Sequence, residues 1–430
     1  RSRGLGDVYK RQGKLRDLLL KDENNEAIYC RTLLVYTDNE LWIGTESGVY
    51  IYNLRTEKYT HLRSSEYDPY SLSDNAIYSF CKDREDGIWI GSYFGGVNYY
   101  PRSYTYFEKY YPKGIENSLH GKRVREFCRD SQGILWIGTE DGGLNRFNLK
   151  TKDFSFFAPS AGFTNIHGLC LVDDKLWVGT FSKGLKVIDT RSGVVLKTYQ
   201  KNDSPRSLID NSIFAICKTA TGDIYLGTMF GLVRYNKQSD DFDRIPELNG
   251  KFIYDIKEDS AGNIWLATYA NGVYCYNVND RKWKNYVHDD KDNTSLPYNK
   301  VSSVFEDSHR QIWLTTQGGG FCIFHPESET FTSYNSTNGL PSDVVYQIVE
   351  DKEGQLWLTT NNGLVCFQPN TEAMKVYTTA NGLLGDQFNY RSSFEDENGM
   401  IYFGGIDGFI AFNPKDFSEN KNLPTVVITV

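Results

Sequence analysis

No apolar run in the sequence approaches the roughly 18 residues that a membrane span needs, so none of these 430 residues is expected to cross a bilayer. Basic residues are dispersed and the formal net charge is −8, which argues against a nucleic-acid-binding surface. Helical patterns are nearly absent. The chain instead carries 30 Tyr and 25 Phe, and strand-forming aromatics at this level predict an all-β protein.

Motifs of common catalytic and cofactor sites are also missing. The sequence has no phosphate-binding loop, nucleophile elbow or zincin helix. No two of its six histidines lie at metal-ligand spacing, so neither a metal nor a cofactor is expected. Acid pairs such as Glu140-Asp141 and Asp240-Asp241 could be glycosidase carboxylates, but adjacent loop acids are usually turn formers. No catalytic residue is therefore predicted in this chain.

The eight cysteines do not have the paired spacing of a disulfide framework or a zinc site. Seven of them recur in two slots of a repeating pattern, and Cys30 falls outside both. Recurrence in a structural slot predicts free thiols that pack as small buried hydrophobes. The first slot holds Cys81, Cys128, Cys170 and Cys217, and the second holds Cys275, Cys322 and Cys366.

What the sequence has in abundance is one repeat. A segment of the type Leu-Trp-Ile-Gly-Thr, found at positions 135–139, occurs nine times at intervals of 40 to 48 residues. A period of that length is typical of propellers and solenoids. The central aromatic residues are Trp42, Trp89, Trp136, Trp177, Tyr225, Trp265, Trp313, Trp357 and Tyr402.

Each copy has the same internal order. An alternating apolar run ends at an Asp-x-x-Gly turn, the aromatic strand follows, and a glycine loop leads to a third and a fourth strand. Such a four-stranded meander cannot bury both faces alone, whereas a β-propeller stacks blades of this kind around a channel. The small residue two places after the aromatic, such as Gly138, is expected where neighbouring blades approach closely, with the aromatics packed between blades.

Nine blades exceed the common range of about four to eight in one ring, so we expect two groups. Residues 13–102 are interpreted as the last two blades of a truncated upstream propeller, and 103–414 as a seven-bladed propeller. In the second group, an orphan strand at Tyr104–Tyr111 is expected to complete the Tyr402 blade and close the ring. Residues 1–12 match no repeat and are interpreted as a non-native scar.

The two faces of the predicted disc differ in sequence. The Asp-x-x-Gly turns on one face are monotonous, whereas the loops after the aromatic strands vary from blade to blade, and variable loops on a rigid scaffold usually carry recognition. Exposed loop aromatics could stack on sugar faces, or they could plug the channel and pack against the next loop. These candidates are Tyr93, Phe94, Phe181, Phe230 and Tyr269.

A second group of candidates lies at the entries to first strands, near the expected mouth of the channel. Arginines in this position could bind a carboxylate or a sulfate bidentately. Equally, they could pair with loop acids such as Glu140. These candidates are Arg123, Arg125, Arg206, Tyr390 and Arg391, and the loop acid Glu140 is a further ligand-binding candidate.

The repeat, read as Asn-x-Val-x-x-Ile-x-x-Asp-x-x-Gly-x-Leu-Trp-Ile-Gly-Thr-x-x-Gly-Leu, resembles the two-component regulator propeller repeat, as at positions 343–360 and around Trp136. The resemblance implies the periplasmic sensor region of a hybrid two-component system histidine kinase. Two seven-bladed propellers and an immunoglobulin-like domain lie outside the inner membrane in that family, which implies that residues 415–430 are a linker and the first strand of the latter. The chain departs from the pattern in having two upstream blades instead of seven.

The same resemblance implies the ligand and the partners. The ligand would be an oligosaccharide released from a glycan, and its binding would switch on transcription of degradation genes. The full-length protein would be a homodimer with histidine kinase activity outside these residues, while this part would not be an enzyme. Two alternatives remain: a propeller-fold lyase or glycoside hydrolase, and a protein-interaction scaffold.

Overall fold

The computed structural model of the chain describes residues 28–84, 86–101 and 106–417, together with the backbone of residues 8–11 and 14–17. These residues form strands joined by turns and a few one-turn 3-10 helices, so the predicted all-β fold is confirmed. They divide into two compact units, the first ending at Pro101 and the second spanning Tyr106–Phe417. The expected scar and the expected linker and strand at 418–430 lie outside the described residues, apart from residues 8–11.

The first unit contains a hairpin and two sheets, all antiparallel. The hairpin consists of β1 (Val8–Arg11) and β2 (Lys14–Asp17). The Trp42 sheet consists of β3 (Cys30–Thr37), β4 (Glu40–Thr45), β5 (Val49–Asn53) and β6 (Tyr59–Leu62), and the Trp89 sheet of β7 (Ile77–Lys82), β8 (Ile88–Ser92) and β9 (Val97–Tyr100).

The second unit contains seven four-stranded antiparallel sheets, named blades 1 to 7 in chain order. Strand β10 (Glu108–Tyr110) belongs to blade 7. Blade 1 is β11 (Val124–Arg129), β12 (Ile134–Thr139), β13 (Gly143–Asn148) and β14 (Phe154–Phe156); blade 2 is β15 (Ile166–Val172), β16 (Lys175–Thr180), β17 (Leu185–Asp189) and β18 (Val195–Tyr199); blade 3 is β19 (Ile213–Lys218), β20 (Ile224–Thr228), β21 (Gly231–Asn236) and β22 (Asp241–Arg244).

The remaining blades follow the same order from the inner strand outwards. Blade 4 is β23 (Ile253–Glu258), β24 (Ile264–Thr268), β25 (Val273–Asn277) and β26 (Lys282–Tyr286); blade 5 is β27 (Val301–Glu306), β28 (Ile312–Thr316), β29 (Phe321–His325) and β30 (Thr330–Tyr334); blade 6 is β31 (Val345–Glu350), β32 (Leu356–Thr360), β33 (Leu364–Gln368) and β34 (Ala373–Tyr377); blade 7 is β35 (Phe388–Glu395), β36 (Ile401–Gly405) and β37 (Phe409–Phe412), followed by β10. The 3-10 helices are Ala158–Gly162, Pro246–Leu248, Ser336–Asn338, Thr379–Asn381 and Pro414–Asp416.

Blade 7 takes its outer strand from the start of the unit. Strand β10 pairs antiparallel with β37, with Glu108 opposite Ala411 and Tyr110 opposite Phe409, as expected for the segment before the Trp136 repeat. The first strands of successive blades pack against one another, and β35 of blade 7 packs against β11 of blade 1. The seven blades therefore form a closed ring that protects their inner edges.

The aspartate of the Asp-x-x-Gly turn also holds the blade's tryptophan. In blade 1, Oδ1 of Asp130 accepts the backbone N–H groups of Gln132 (2.9 Å) and Ile134 (3.0 Å), while Oδ2 accepts Nε1–H of Trp136 (2.8 Å). One carboxylate thus fixes the turn and satisfies the buried indole donor. The same pairing to tryptophan is made by Asp83, Asp259, Asp307 and Asp351.

The small residue after the aromatic is where neighbouring blades approach, as predicted. A Cβ atom added to Gly138 would lie 2.6 Å from Cγ2 of Ile166 in blade 2. At the closure of the ring, a Cβ on Gly404 would lie 2.8 Å from Cγ1 of Val124. Because real Cβ contacts are not this short, the first strand of the next blade excludes any larger residue here.

The threonine that follows fixes the loop of the variable face. The hydroxyl of Thr139 donates to the carbonyl of Gly143 (3.1 Å) and accepts the N–H of Gly142 (2.9 Å). The same hydroxyl-to-carbonyl bond closes the loops of most other blades. This explains the Thr in the repeat, which holds the variable loops on a rigid frame.

All eight cysteines are free, as predicted. The prediction that they are buried holds for Cys275, Cys322 and Cys366, but Cys81 in the first unit is exposed. Trp89, opposite Cys81 in the sheet, is also 46% exposed, because no described residue of the first unit covers that face. The predicted packing of Trp89 between blades is therefore wrong for the described residues.

Candidate functional site

The first strand of each blade contains at least one extra residue, and the side chain of that residue is directed toward the channel. Val124 pairs with Thr139 and Glu126 with Gly138, so Arg125 is a bulge residue without a partner, and bulges re-aim the side chain that they carry. Blades 2 to 6 repeat this bulge, and in blade 7 four residues, 389–392, face Gly404 alone. The bulge residues of blades 1 to 6 are Arg125, His167, Phe214, Tyr254, Ser302 and Tyr346.

A repeated backbone bond brings a loop residue to the same place. The N–H of Glu140, just after the second strand, donates to the carbonyl of Arg123, just before the first (2.9 Å). All seven blades make this bond. Each blade therefore contributes a residue before the first strand, its bulge residue or residues, and a loop residue. We call this set the channel mouth: Arg123, Arg125, Glu140; Asn165, His167, Phe181; Ser212, Phe214, Met229; Phe252, Tyr254, Tyr269; Lys300, Ser302, Gln317; Val344, Tyr346, Asn361; Gln387, Asn389, Tyr390, Arg391, Ser392 and Ile406.

Aromatic rings occupy the mouth on the side of blades 2 to 4. Phe252, Tyr254 and Tyr269 form a near-parallel stack, with ring planes within 14° to 19° of one another. Phe214 connects this stack to Phe181, with centroid distances of 4.5 Å to Phe252 and 6.2 Å to Phe181. Phe181 and Tyr269 are 40% and 42% exposed, so this half of the mouth presents aromatic surface to solvent.

Tyr390 reaches across the ring from blade 7. Its ring lies 5.6 Å from Tyr254 of blade 4 and 4.7 Å from Tyr346 of blade 6, measured between centroids. Its hydroxyl donates to Oε1 of Gln317 (3.4 Å). A contact between blades 4 and 7 is possible only near the axis of the ring, so Tyr390 lies over the channel itself.

Arg125 is buried under Tyr390. Its side chain is 1% exposed, and the guanidinium carbon lies 4.8 Å from the centroid of Tyr390. Nη1 donates to Oδ1 of Asn389 (3.4 Å) and lies 3.7 Å from Oε1 of Glu140. Nε and Nη2 have no hydrogen-bond partner among the described residues. Burial lowers the pKa of Arg125, and the charge of Glu140 opposes that shift.

Other buried polar atoms near the axis also lack hydrogen-bond partners within the described ranges. Buried polar groups are usually paired, so their concentration around one channel indicates a site suited to a polar ligand. Burial lowers the pKa of His167 well below its usual value, and Arg125 adds to the shift; the imidazole is therefore neutral at neutral pH. The atoms are Nδ1 of His167, Oγ of Ser302, Nε2 of Gln317, Oε1 of Gln347, Nδ2 of Asn389 and Oγ of Ser392.

Arg391 fills the channel next to these residues. It has a left-handed backbone (φ 50°), and Nε lies 3.1 Å from Oδ1 of Asp255 and 3.3 Å from Oε1 of Glu126. Nη1 donates to the carbonyl of Phe214 (3.0 Å). Burial raises the pKa of Glu126 to about 8, and the positive charges of Arg391 and Arg125 oppose that shift. Arg391 thus makes the ion pairs that were the alternative to ligand binding.

The remaining predicted residues are more scattered. Arg206, which the sequence analysis placed near the mouth, instead pairs with Asp241 of the outer strand β22 (2.6 Å), so that expectation is wrong. Phe230 is exposed next to the mouth residue Met229. Tyr93 and Phe94 are exposed in the first unit and are not channel-mouth residues.

Sequence reasoning missed five bulge residues, His167, Phe214, Tyr254, Ser302 and Tyr346. A signal was present, because each follows the first apolar residue of its first strand, as Arg125 follows Val124. Alignment of the repeats on that apolar residue would have put all six side chains at one level of the channel.

A groove of about 560 Å³ lies away from the mouth, between blades 2 and 3. Of its lysines, Lys197 and Lys218 are held in ion pairs with Asp240 and Asp173. None of the described residues that line the groove has a buried polar atom without a hydrogen-bond partner, in contrast to the mouth. Nowhere in the described ranges do three or more His, Cys, Asp or Glu side chains form a group that could hold a metal ion. The described helices are all too short to cross a membrane. The channel mouth is therefore the better candidate site.

Known proteins resemble both the repeat and the fold. The family described as two component regulator propeller matches residues 71–94, 118–141, 247–270 and 339–362. Histidine kinase P4 of Formosa agariphila is 30% identical over 282 residues, which cover 62% of this chain and 20% of that protein. The extracellular domain of the hybrid two component system BT3049 from B. thetaiotaomicron is 26% identical with a TM-score of 0.81, over 99% of this chain and 58% of that one.

A virginiamycin B lyase from Staphylococcus aureus, solved with quinupristin, has the same fold at 15% identity, with a TM-score of 0.55 over 71% of this chain and 98% of that one. At that identity the likeness concerns the fold alone. The chain spans about a fifth of the kinase that it matches and 58% of the solved extracellular domain. Four of the nine repeats match the two-component regulator propeller family, so the chain contains propeller repeats of that family.

Proposed function

We propose that this chain is the extracytoplasmic, ligand-sensing propeller region of a hybrid two-component sensor kinase. The family match, the similarity to a histidine kinase and the similarity to the extracellular domain of a hybrid two-component system all support this role. The location would be periplasmic, with the kinase in another part of the full-length protein.

The ligand proposed is an oligosaccharide derived from a glycan, whose binding signals to transcription of degradation genes. The observation that carries this proposal is the composition of the channel mouth, where the exposed rings of Phe181 and Tyr269 lie beside buried polar groups without partners, such as Nε of Arg125 and Nδ2 of Asn389. Sugars present flat apolar faces and hydroxyl edges, and sites with aromatic walls and a few convergent polar groups suit them.

The propeller itself would bind without catalysis. Its channel acids are occupied by arginines: Glu140 lies beside Arg125, and Glu126 and Asp255 lie beside Arg391. Acid–base cleavage of a sugar needs two carboxyl groups free to reach the scissile bond. A propeller-fold lyase or hydrolase is the competing function, and it requires that the ligand be converted.

The domain division is also proposed. Residues 13–102 would belong to an upstream propeller, and 103–414 to the ring. The exposure of Trp89 supports this, because the tryptophans of the ring are buried between blades. The segment from 415 onwards would lead into an immunoglobulin-like domain, and the full-length protein would be a homodimer.

A thermal-shift screen tests the proposed function. The chain is heated with a panel of glycan-derived oligosaccharides, and each mixture is then analysed for products. A ligand of the folded state raises Tm increasingly as its concentration exceeds Kd. A shift with the sugar recovered intact supports sensing, whereas turnover of the sugar supports the enzyme and a panel without any shift contradicts saccharide binding.

A further inference from the structure

The channel mouth is basic in an acidic protein. The chain has a formal net charge of −8, yet the mouth contains Arg123, Arg125, Lys300 and Arg391 against one acid of that set, Glu140. The two other acids of the channel, Glu126 and Asp255, lie beside Arg391. Lys300 places Nζ 4.3 Å from the ring centroid of Tyr269, so a cation borders the exposed aromatic surface. A basic site with low-dielectric walls concentrates anions.

The guanidinium of Arg125 has polar neighbours along one edge, whereas the donors of its other edge have no hydrogen-bond partner among the described residues. Both of its polar neighbours, Asn389 and Glu140, approach Nη1. Nε and Nη2, which lack partners among the described residues, together form the side-on fork of a guanidinium. That fork matches the two oxygens of a carboxylate or a sulfate. A buried fork without an acceptor is costly, and an anion would satisfy both donors at once.

We propose that the channel mouth binds an acidic saccharide, with its carboxylate or sulfate group held by the Nε and Nη2 edge of Arg125 and its sugar ring against the aromatic side of the mouth. This inference rests on the proposed function and names the chemical class of its ligand. Glu140 keeps its place beside Nη1 and need not be displaced, because the ligand uses the other edge.

Access to Arg125 depends on Tyr390. Since the side chain of Arg125 is 1% exposed and Tyr390 lies over it, the acidic group enters only when the tyrosine ring moves aside. The 3.4 Å bond from Tyr390 to Gln317 is long for an O–H donor and restrains the ring weakly. Binding therefore couples a ligand contact to movement of the arch 389–392 across the channel.

Titration calorimetry with matched sugars tests the proposal. The probes are oligogalacturonides of two to four sugars and their carboxyl-reduced counterparts, together with sulfated galactose oligosaccharides and their desulfated counterparts. We expect the acidic member of a pair to bind at least about 10-fold more tightly, as a charge-assisted bidentate contact implies, and its affinity to fall as salt rises. The pair in which the acidic sugar binds more tightly than its neutral counterpart identifies the bound group as a carboxylate or a sulfate.

Three variants test whether tighter binding of the acidic sugar depends on the Nε and Nη2 edge of Arg125. Arg125→Gln should weaken acidic binding about 10- to 100-fold and weaken neutral binding much less, so that the preference for the acidic member of each pair is lost. Arg125→Lys keeps the charge without the fork and should also lose at least about 10-fold, which covers the case in which Arg125→Gln does not fold. Arg206→Gln removes an exposed arginine far from the mouth and should change neither.

The outcomes separate the two proposals. Neutral sugars that bind as tightly as their acidic counterparts, or an Arg125→Lys variant that binds the acid as the parent does, would overturn the acidic-ligand inference and leave saccharide sensing intact. If no sugar of either kind binds, the proposed function fails together with the inference.

Discussion

Nε of Arg391 lies 3.3 Å from Oε1 of Glu126, so a guanidinium of the last blade contacts a buried carboxyl group of the first blade in the channel. Asp255 of blade 4 approaches the same Nε at 3.1 Å. All three side chains are largely buried, and Arg391 is 13% exposed. The guanidinium of Arg391 in blade 7 thus contacts side chains of blades 1 and 4 near the axis and stabilises the channel.

Replacing Arg391 by Met should destabilise the ring by about 3 kcal/mol or more, because the buried carboxyl groups of Asp255 and Glu126 lose the guanidinium that lies beside them. Urea unfolding measures the loss as a lower midpoint at an unchanged slope. Arg191→Met is the control, since it removes an exposed pair with Asp174 and should change the free energy by less than about 1 kcal/mol. Equal losses in the two variants would contradict a structural role for the channel pair.

The stability of the ring should depend on pH through Glu126. Its pKa in the folded chain is about 8, above the usual value of 4.5, because of desolvation. The folded state therefore holds a proton that the unfolded state releases, and stability falls as pH rises from about 4.5 to about 8. Glu126→Gln mimics the protonated acid and should remove this slope. Parallel Tm profiles for the two proteins across that window would rule out the raised pKa.

The turn aspartate should matter more than its counterpart in blade 3. Asp130→Ala leaves the N–H of Gln132, the N–H of Ile134 and the indole of Trp136 without their acceptor. A loss of about 2 to 4 kcal/mol is expected from several unsatisfied buried donors. Thr219→Ala is the matched control, because Thr219 occupies the same turn position but serves no indole donor, and it should lose about 1 kcal/mol. Calorimetric Tm values compare the two variants.

Gly138 should tolerate no side chain. Gly138→Ala places a methyl group 2.6 Å from Ile166 Cγ2 and should cost about 1 to 3 kcal/mol by overpacking. Gly162→Ala is the control, since a Cβ there meets no atom within 4 Å, and it should change stability by less than about 0.5 kcal/mol. Chemical denaturation of both variants measures the two changes in the free energy of unfolding. A neutral Gly138→Ala would mean that the blades can separate at this point.

Much of the fold could be predicted from the repeat alone. The period placed the blades, and the small residue at Gly138 predicted the close approach to the next blade. The bond between Asp130 and Trp136 was not predicted, because a turn aspartate has an obvious local explanation that hides its second acceptor. The sequence does not reveal it either, because Asp396 stands at the same spacing before Tyr402, which has no indole donor.

The site was predicted less completely, for a geometric reason. Loop residues such as Phe181 and Tyr269 are recognised as exposed by their position, whereas a bulge turns His167 or Tyr254 from the sheet into the channel without any turn signal in the sequence. The position of Arg391 depends on an arch that is longer than the bulges of the other blades. The pairing register shows such features directly, whereas in the sequence they emerge only when the repeats are aligned on the first apolar residue of each first strand.

The central claim is that the channel mouth, rather than the opposite face, binds the ligand. Hydrogen–deuterium exchange of the chain with and without a saccharide that raises Tm tests this most directly. The account predicts slower exchange in the mouth loops, such as residues 139–143 and 268–272, and unchanged exchange in the turns of the opposite face, such as residues 130–134 and 259–263. Protection confined to those turns, or to neither set, would contradict it.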